Sequence, residues 1–244
     1  GTEIGTFTTI SEDGCNEASL TATITIINAP VVITPPPTPT VTITNGICRC
    51  PTATVGDEVT VNGTVYKVVD NSTIASQITN GNYNLCTTLV TDMSFLFAGN
   101  SSFNSNIGFW DTSNVTNMNN LFQSAETFNQ DIGNWDVSNV TKMNNTFKYA
   151  RNFNQDISGW DVSSVTTMGV MFFEDQDFNQ DIGNWDVSSV TNMNSMFTNA
   201  ESFNQDLTGW CVTNITSEPG GFTSTTRAVL TNANKPVWGT CPGG

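Results

Sequence analysis

"FNQDIGNWDVS" occupies residues 128–138 and returns unchanged at 178–188, with near copies beginning at Phe103, Phe153 and Phe203. The spacing is 25 residues and does not slip. Aligned on it, the chain resolves into columns: Phe103, Phe128, Phe153, Phe178, Phe203; Ile107, Ile132, Ile157, Ile182, Leu207; and Trp110, Trp135, Trp160, Trp185, Trp210. Further columns begin at Val90, Met93 and Phe97, and the last of these reaches Phe222. A fixed period of roughly 20–50 residues with aligned apolar positions marks units that bury their hydrophobic side by stacking.

Inside a rung, Trp135 and Val137 alternate around Asp136 as in a short strand, while Val140, Met143, Phe147 and Ala150 fall at the spacing of one helix face. The fold expected is an α/β repeat solenoid of leucine-rich-repeat type, one short strand and one short helix per rung, with a small all-β N-terminal segment. Residues 1–34 read as a β-sandwich fragment ("ASLTATITIINAP") and 35–44 as a Pro/Thr linker. Residues 45–77 read as a cap with a hairpin around Asn62-Gly63, 78–222 as the repeat, and 223–244 as a C-terminal cap.

Seven Lys+Arg against 22 Asp+Glu give a net charge of −15, which disfavours nucleic acid and anionic membrane surfaces. No stretch approaches the roughly 20 apolar residues of a membrane span, and no signal peptide opens the chain, so it is expected to be a piece of something longer. Six cysteines and no His anywhere favour disulfides in an oxidising, extracellular setting over zinc. In the first and last rungs, Cys86 and Cys211 replace the Asp that follows Trp. Cys211 is expected to bond Cys241 and Cys86 to bond Cys48 or Cys50. Cys15 takes the remaining one or a partner outside the chain.

The pattern FNQDI-x-x-WDVS-x-VT-x-M-x-x-x-F resembles the surface-protein repeat of BspA-like leucine-rich-repeat proteins over residues 78–222. The flanks "CRCPTATVGDEVTVNGTVYKVVDNSTI" and "NKPVWGTCP" are similar to the ends of such arrays in flavobacterial surface proteins. "SEDGCNEASLTATITI" looks more loosely like the tail of an adhesin β-sandwich repeat. The resemblance implies an exported, non-enzymatic binding or adhesive module at a bacterial cell surface, with a protein or glycan ligand and adjoining domains of a larger chain.

Two aspartate columns carry the candidate chemistry. Asp111, Asp136, Asp161 and Asp186 follow the tryptophans; Asp131, Asp156, Asp181 and Asp206 precede them. Like charges about 4.8 Å apart repel by about 0.9 kcal/mol even in water, so something must offset them. Local side-chain and turn N–H groups are one solution. Calcium held by Asp131, Asp156, Asp181 and Asp206 is the other, and no other cofactor is expected. A ladder of identical carboxylates does not give the unlike pair a glycosidase needs, and the tryptophans are expected in the core rather than on a sugar-stacking face. The Asn and Thr rows admit an ice- or lattice-binding alternative. Phe109, Lys142, Lys148, Tyr149, Arg151, Phe173 and Glu174 break the pattern, and such deviations are where a partner is selected. Lys142, Tyr149 and Arg151, with the Asp111 column, are the candidate binding surface. The remaining alternative is a structural stalk.

Overall fold

The computed structural model describes residues 38–223 and 229–243, all within the unit Thr38–Gly244. The β-domain fragment expected at 1–34, and Cys15 with it, lie outside the described residues.

Among the described residues, five strands and one helix make up the cap and the first rung. β1 (Thr42–Thr44) and β2 (Ile47–Arg49) pair antiparallel around Asn45-Gly46. β3 (Glu58–Val61) and β4 (Thr64–Asp70) do so around Asn62-Gly63. Both turns hold two successive positive φ values, 51° and 81°, then 50° and 82°, the geometry that Asn-Gly accommodates in a two-residue hairpin. Helix α1 (Ile74–Thr79) buries Ile74 and Ile78. β5 (Leu85–Leu89) pairs in parallel with β4 and places Leu85 where later rungs carry Trp.

The repeat that follows does not build the expected α/β solenoid. The only α-helix among the described residues is α1, six residues long in the cap, and apart from a 3-10 turn at Asn232–Asn234 the regular structure is strands and sheets. The rungs are successions of turns joined by single parallel bridges, Asp92 to Asn117, Asn117 to Lys142, Lys142 to Thr167 and Thr167 to Asn192.

Two left-handed residues per rung explain the missing helix. Asn145 (φ 56°) and Tyr149 (φ 60°) have counterparts in Asn120 and Ser124, Val170 and Glu174, and Ser195 and Asn199. A left-handed residue every four positions ends a helix as soon as it starts. The hydrogen bonds then divide. Met143, Asn145, Phe147 and Tyr149 donate N–H to the carbonyls of Thr167, Gly169, Met171 and Phe173 in the next rung at 2.8–3.0 Å. Lys148 and Ala150 donate three residues back, to Asn145 and Phe147, at 3.2 and 2.9 Å. Two consecutive turns thus reproduce the apolar spacing of a helix face. The expected strand fails for a related reason: Ser138 N–H returns to Asp136 Oδ1 at 3.1 Å, closing an Asx turn.

The apolar columns form one continuous core. Phe97, Phe122, Phe147, Phe172 and Phe197 stack with centroids 5.5–5.6 Å apart, flanked by the parallel Phe103 to Phe203 column. The five tryptophans of the array are buried. Each indole N–H donates to a carbonyl of the preceding rung, Trp160 to Ile132 and Trp185 to Ile157 at 3.2 Å, so burial leaves no polar atom unpaired. Below the last rung the C-terminal segment supplies the missing partners. Asn234 C=O accepts from Leu207, Thr240 C=O from Val212, and Trp238 packs edge-on to Phe222 at 4.9 Å.

Cys211 is bonded to Cys241 and Cys50 to Cys86. Cys48 is a free, fully buried thiol. Burial, with the Asp111 charge adding to it, pushes its pKa up to about 12, which removes the reactive thiolate. Native protein is therefore expected to resist alkylation at Cys48, and denatured unreduced protein to take up the label there. Labelling of the native chain at Cys48 would contradict this placement.

Candidate functional site

The carboxylates of both aspartate columns are held by their own turns. Asp111, Asp136, Asp161 and Asp186 each accept the backbone N–H of Ser113, Ser138, Ser163 or Ser188 at Oδ1, at 3.0–3.2 Å. The first three also accept the serine hydroxyl at 2.6–2.7 Å. Asp131, Asp156, Asp181 and Asp206 accept the N–H of Gly133, Ser158, Gly183 and Thr208 at 2.9–3.0 Å. Hydrogen bonds from Ser158, Ser163, Ser188 and Thr208 hold Asp156, Asp161, Asp186 and Asp206 below the ordinary carboxylate range. Among the described residues no three acidic or thiol side chains converge as metal ligands do. Two open clefts of about 300 Å³ lie along the array. One is lined by Asp181, Asp206 and their glycines, the other by residues around Glu218 and Pro219.

Asp111 departs from its column. It is buried, accepts from Thr88 Oγ1 at 2.8 Å and faces Arg49 Nε at 3.7 Å. It therefore ties the cap to the first rungs rather than standing in a binding row. Phe109 has the same role, edge-on to Tyr66 at 5.8 Å and packed against both buried clusters.

The Asn and Thr rows are occupied with rung-to-rung bonding. Asn129 Oδ1 accepts Asn154 N–H and Gln155 Nε2 at 3.0 and 2.8 Å, and Thr141 and Thr166 hydroxyls donate to the carbonyls of Thr116 and Thr141. Neither row is a free array of hydroxyls and amides.

The deviating side chains do not all meet. Lys142 sits on the bridge column between Asn117 and Thr167, and its charge helps keep Asp92 low, after the hydrogen bonds of Ser94 and Asn117 have offset that carboxyl's burial. Lys148, Tyr149, Arg151, Phe173 and Glu174 form a separate cluster. The Tyr149 and Phe173 rings meet edge-to-face at 5.4 Å and 84°. Lys148 Nζ stands 5.2 Å from the first centroid and 5.7 Å from the second. Arg151 Nη2 lies 3.7 Å from Glu174 Oε2, with 42% of its side chain exposed.

Sequence reasoning overlooked Asp175. It occupies the column of Ala125, Ala150 and Ala200, is fully buried, and neither carboxylate oxygen has a hydrogen-bond partner. Burial, and then the charge of Asp177, push its pKa well above the ordinary carboxylate range, with Phe178 N–H opposing in part. The signal was available: an acid in a column that holds alanine at 125, 150 and 200.

A family model described as "Mycoplasma protein of unknown function, DUF285" matches residues 65–168 and again 130–235, two overlapping windows that together take in the repeat. No curated protein matches the chain. No solved structure matches it either.

Proposed function

The chain belongs to the DUF285 family, and from that premise we propose that it is a non-enzymatic interaction module displayed outside a bacterial cell, of the kind its resemblance to BspA-like surface-protein repeats implies. One observation carries this reading. The residues that stack the rungs are nearly invariant from rung to rung, whereas large, charged or aromatic departures gather around Lys148, Tyr149, Arg151 and Phe173. A stack needs none of those four. Two disulfides, one at each end of the array, support an oxidising location.

A passive stalk is the second reading, favoured by the unbroken aromatic columns. Screening the full chain against extracellular proteins and glycans separates the two. Saturable binding that Tyr149→Ser weakens is expected, and a chain that binds nothing is a spacer. Calcium enters the proposal only as an alternative. Each carboxylate already has donors in its own turn, so adding a chelator is expected to change neither binding nor Tm. A lower Tm on chelation would bring calcium back.

A further inference from the structure

We propose that Lys148, Tyr149, Arg151 and Phe173 form a subsite for a carboxylated sugar, a hexuronic acid carried on a glycan. The inference rests on the chain being a binding module and names the chemistry that one patch of it accepts.

Comparison of equivalent positions makes the patch stand out. Where this patch has Lys148, Tyr149 and Arg151, the preceding rung has Gln123, Ser124 and Glu126. Phe173 stands where the following rung has Thr198. The only basic residues in the stretch 90–222 of this strongly acidic chain are Lys142, Lys148 and Arg151. Tyr149 is also held at φ 60°, in a column otherwise filled by Gly99, Ser124, Glu174 and Asn199. A bulky side chain there costs about 1–2 kcal/mol. Its ring is half-buried against Phe173 and is not part of the Phe–Trp core. The patch bridges two rungs, Arg151 to Glu174 and Tyr149 to Phe173, but the flanking rungs stack with Gln123, Ser124, Glu126 and Thr198 at the equivalent positions.

The cluster is incomplete in a way that describes its ligand. Arg151 Nη2 stands 3.7 Å from Glu174, beyond hydrogen-bond distance, on a partly exposed side chain, and Lys148 Nζ stands beside the two rings. A carboxylate supplies the planar acceptor a guanidinium lacks, and the C–H face of a pyranose packs against aromatic rings. Consecutive rungs stand 5.6 Å apart at Phe147 and Phe172, so a patch two rungs tall accommodates one or two sugar rings. A protein partner would need about 800 Å² of this surface. An acidic one would then be laid against the neighbouring aspartates, and a basic one would meet Lys148 and Arg151. A small anion attached to an apolar ring fits better than either.

The full chain is titrated by calorimetry with digalacturonate, with its neutral methyl ester, and with triglutamate as the acidic-peptide arm. Digalacturonate is expected to bind, and the ester to bind about tenfold more weakly, as loss of one charge-assisted contact predicts. Triglutamate is expected to lack the ring contribution and bind more weakly than the sugar. The variants Lys148→Gln and Tyr149→Ser install the preceding rung's residue and Arg151→Gln the following rung's, so no second carboxylate is set beside Glu174. Each should reduce affinity with at most a small change in Tm, since each removes only partly exposed contacts. Equal binding of acid and ester, triglutamate binding as tightly as the sugar, or variants that bind undiminished would each overturn the proposal. If digalacturonate does not bind while the screen above captures another partner, the ligand class is wrong and the binding-module reading survives. Silence in both assays removes both.

Discussion

Phe147→Ala is expected to destabilise the array by about 3–5 kcal/mol, the largest effect of any single truncation considered. The ring is fully buried. It stacks at 5.6 Å on Phe122 and Phe172, at 4.1 Å on Phe153, and at 6.2 Å against Trp160. Its removal leaves a cavity that neighbours cannot close, because each is fixed by its own place in a column. A repeat stack draws its stability from interfaces between adjacent rungs, so the central position matters beyond the lost contacts. Weakening it is expected to split urea unfolding into two phases, one for the rungs on each side. Phe222→Ala provides the comparison. That ring lies at the end of the column, turned edge-on to Phe197, and its loss should mainly fray the last rung. A midpoint for Phe147→Ala no lower than that of the exposed control Asn152→Ala would show that the column is not the core.

The period was legible in the sequence because burial acts on side-chain type, and a 25-residue recurrence of Phe, Ile, Trp, Val and Met survives any choice of backbone. Backbone conformation was not legible in the same way. Val140, Met143, Phe147 and Ala150 satisfy a helix periodicity, and the same spacing arises from two four-residue turns. The distinguishing clue lay in the polar residues between them. Asn120 and Ser124, and Ser195 and Asn199, are residue types that tolerate positive φ and compete with helical bonding. The aspartate columns were legible as turn residues because Asp followed two positions later by Ser or Gly closes an Asx turn locally. Whether two deviating side chains meet depends on how the turns place them. Lys142 and Lys148 are six positions apart in one rung, yet the first answers to Asp92 and the second to Tyr149 and Phe173.

Asp175→Ala is expected to stabilise the protein at neutral pH, against the usual direction for a substitution in a buried position. Alanine fills this column at 125, 150 and 200, so the space and the backbone already suit it. The carboxyl is fully buried and neither of its oxygens has a partner within hydrogen-bond geometry. The rung has also lost a turn bond. Phe128, Phe153 and Phe203 donate N–H to the carbonyls of Ala125, Ala150 and Ala200, whereas Phe178 N–H faces the Asp175 carboxyl. An unpaired buried polar group costs about 1–3 kcal/mol, more when charged, and each kcal/mol moves Tm by about 2–4 °C in a chain of this size. The pH dependence has a definite sign. Since folding raises this pKa, the carboxyl is protonated in both states below its unfolded value, about 3.9, and imposes no charge penalty there. As pH rises past that value the unfolded chain ionises first, and native stability falls until the folded pKa is passed. The gain from Asp175→Ala should therefore be small near pH 3 and grow as pH rises above the unfolded value. Asp175→Asn, which keeps the polar volume without the charge, should lose the pH dependence but retain part of the cost. Melting curves of the three proteins across this range decide the matter. A Tm difference that stays constant with pH, or an alanine variant that melts below the parent at pH 7, would mean that Asp175 has a partner in solution after all.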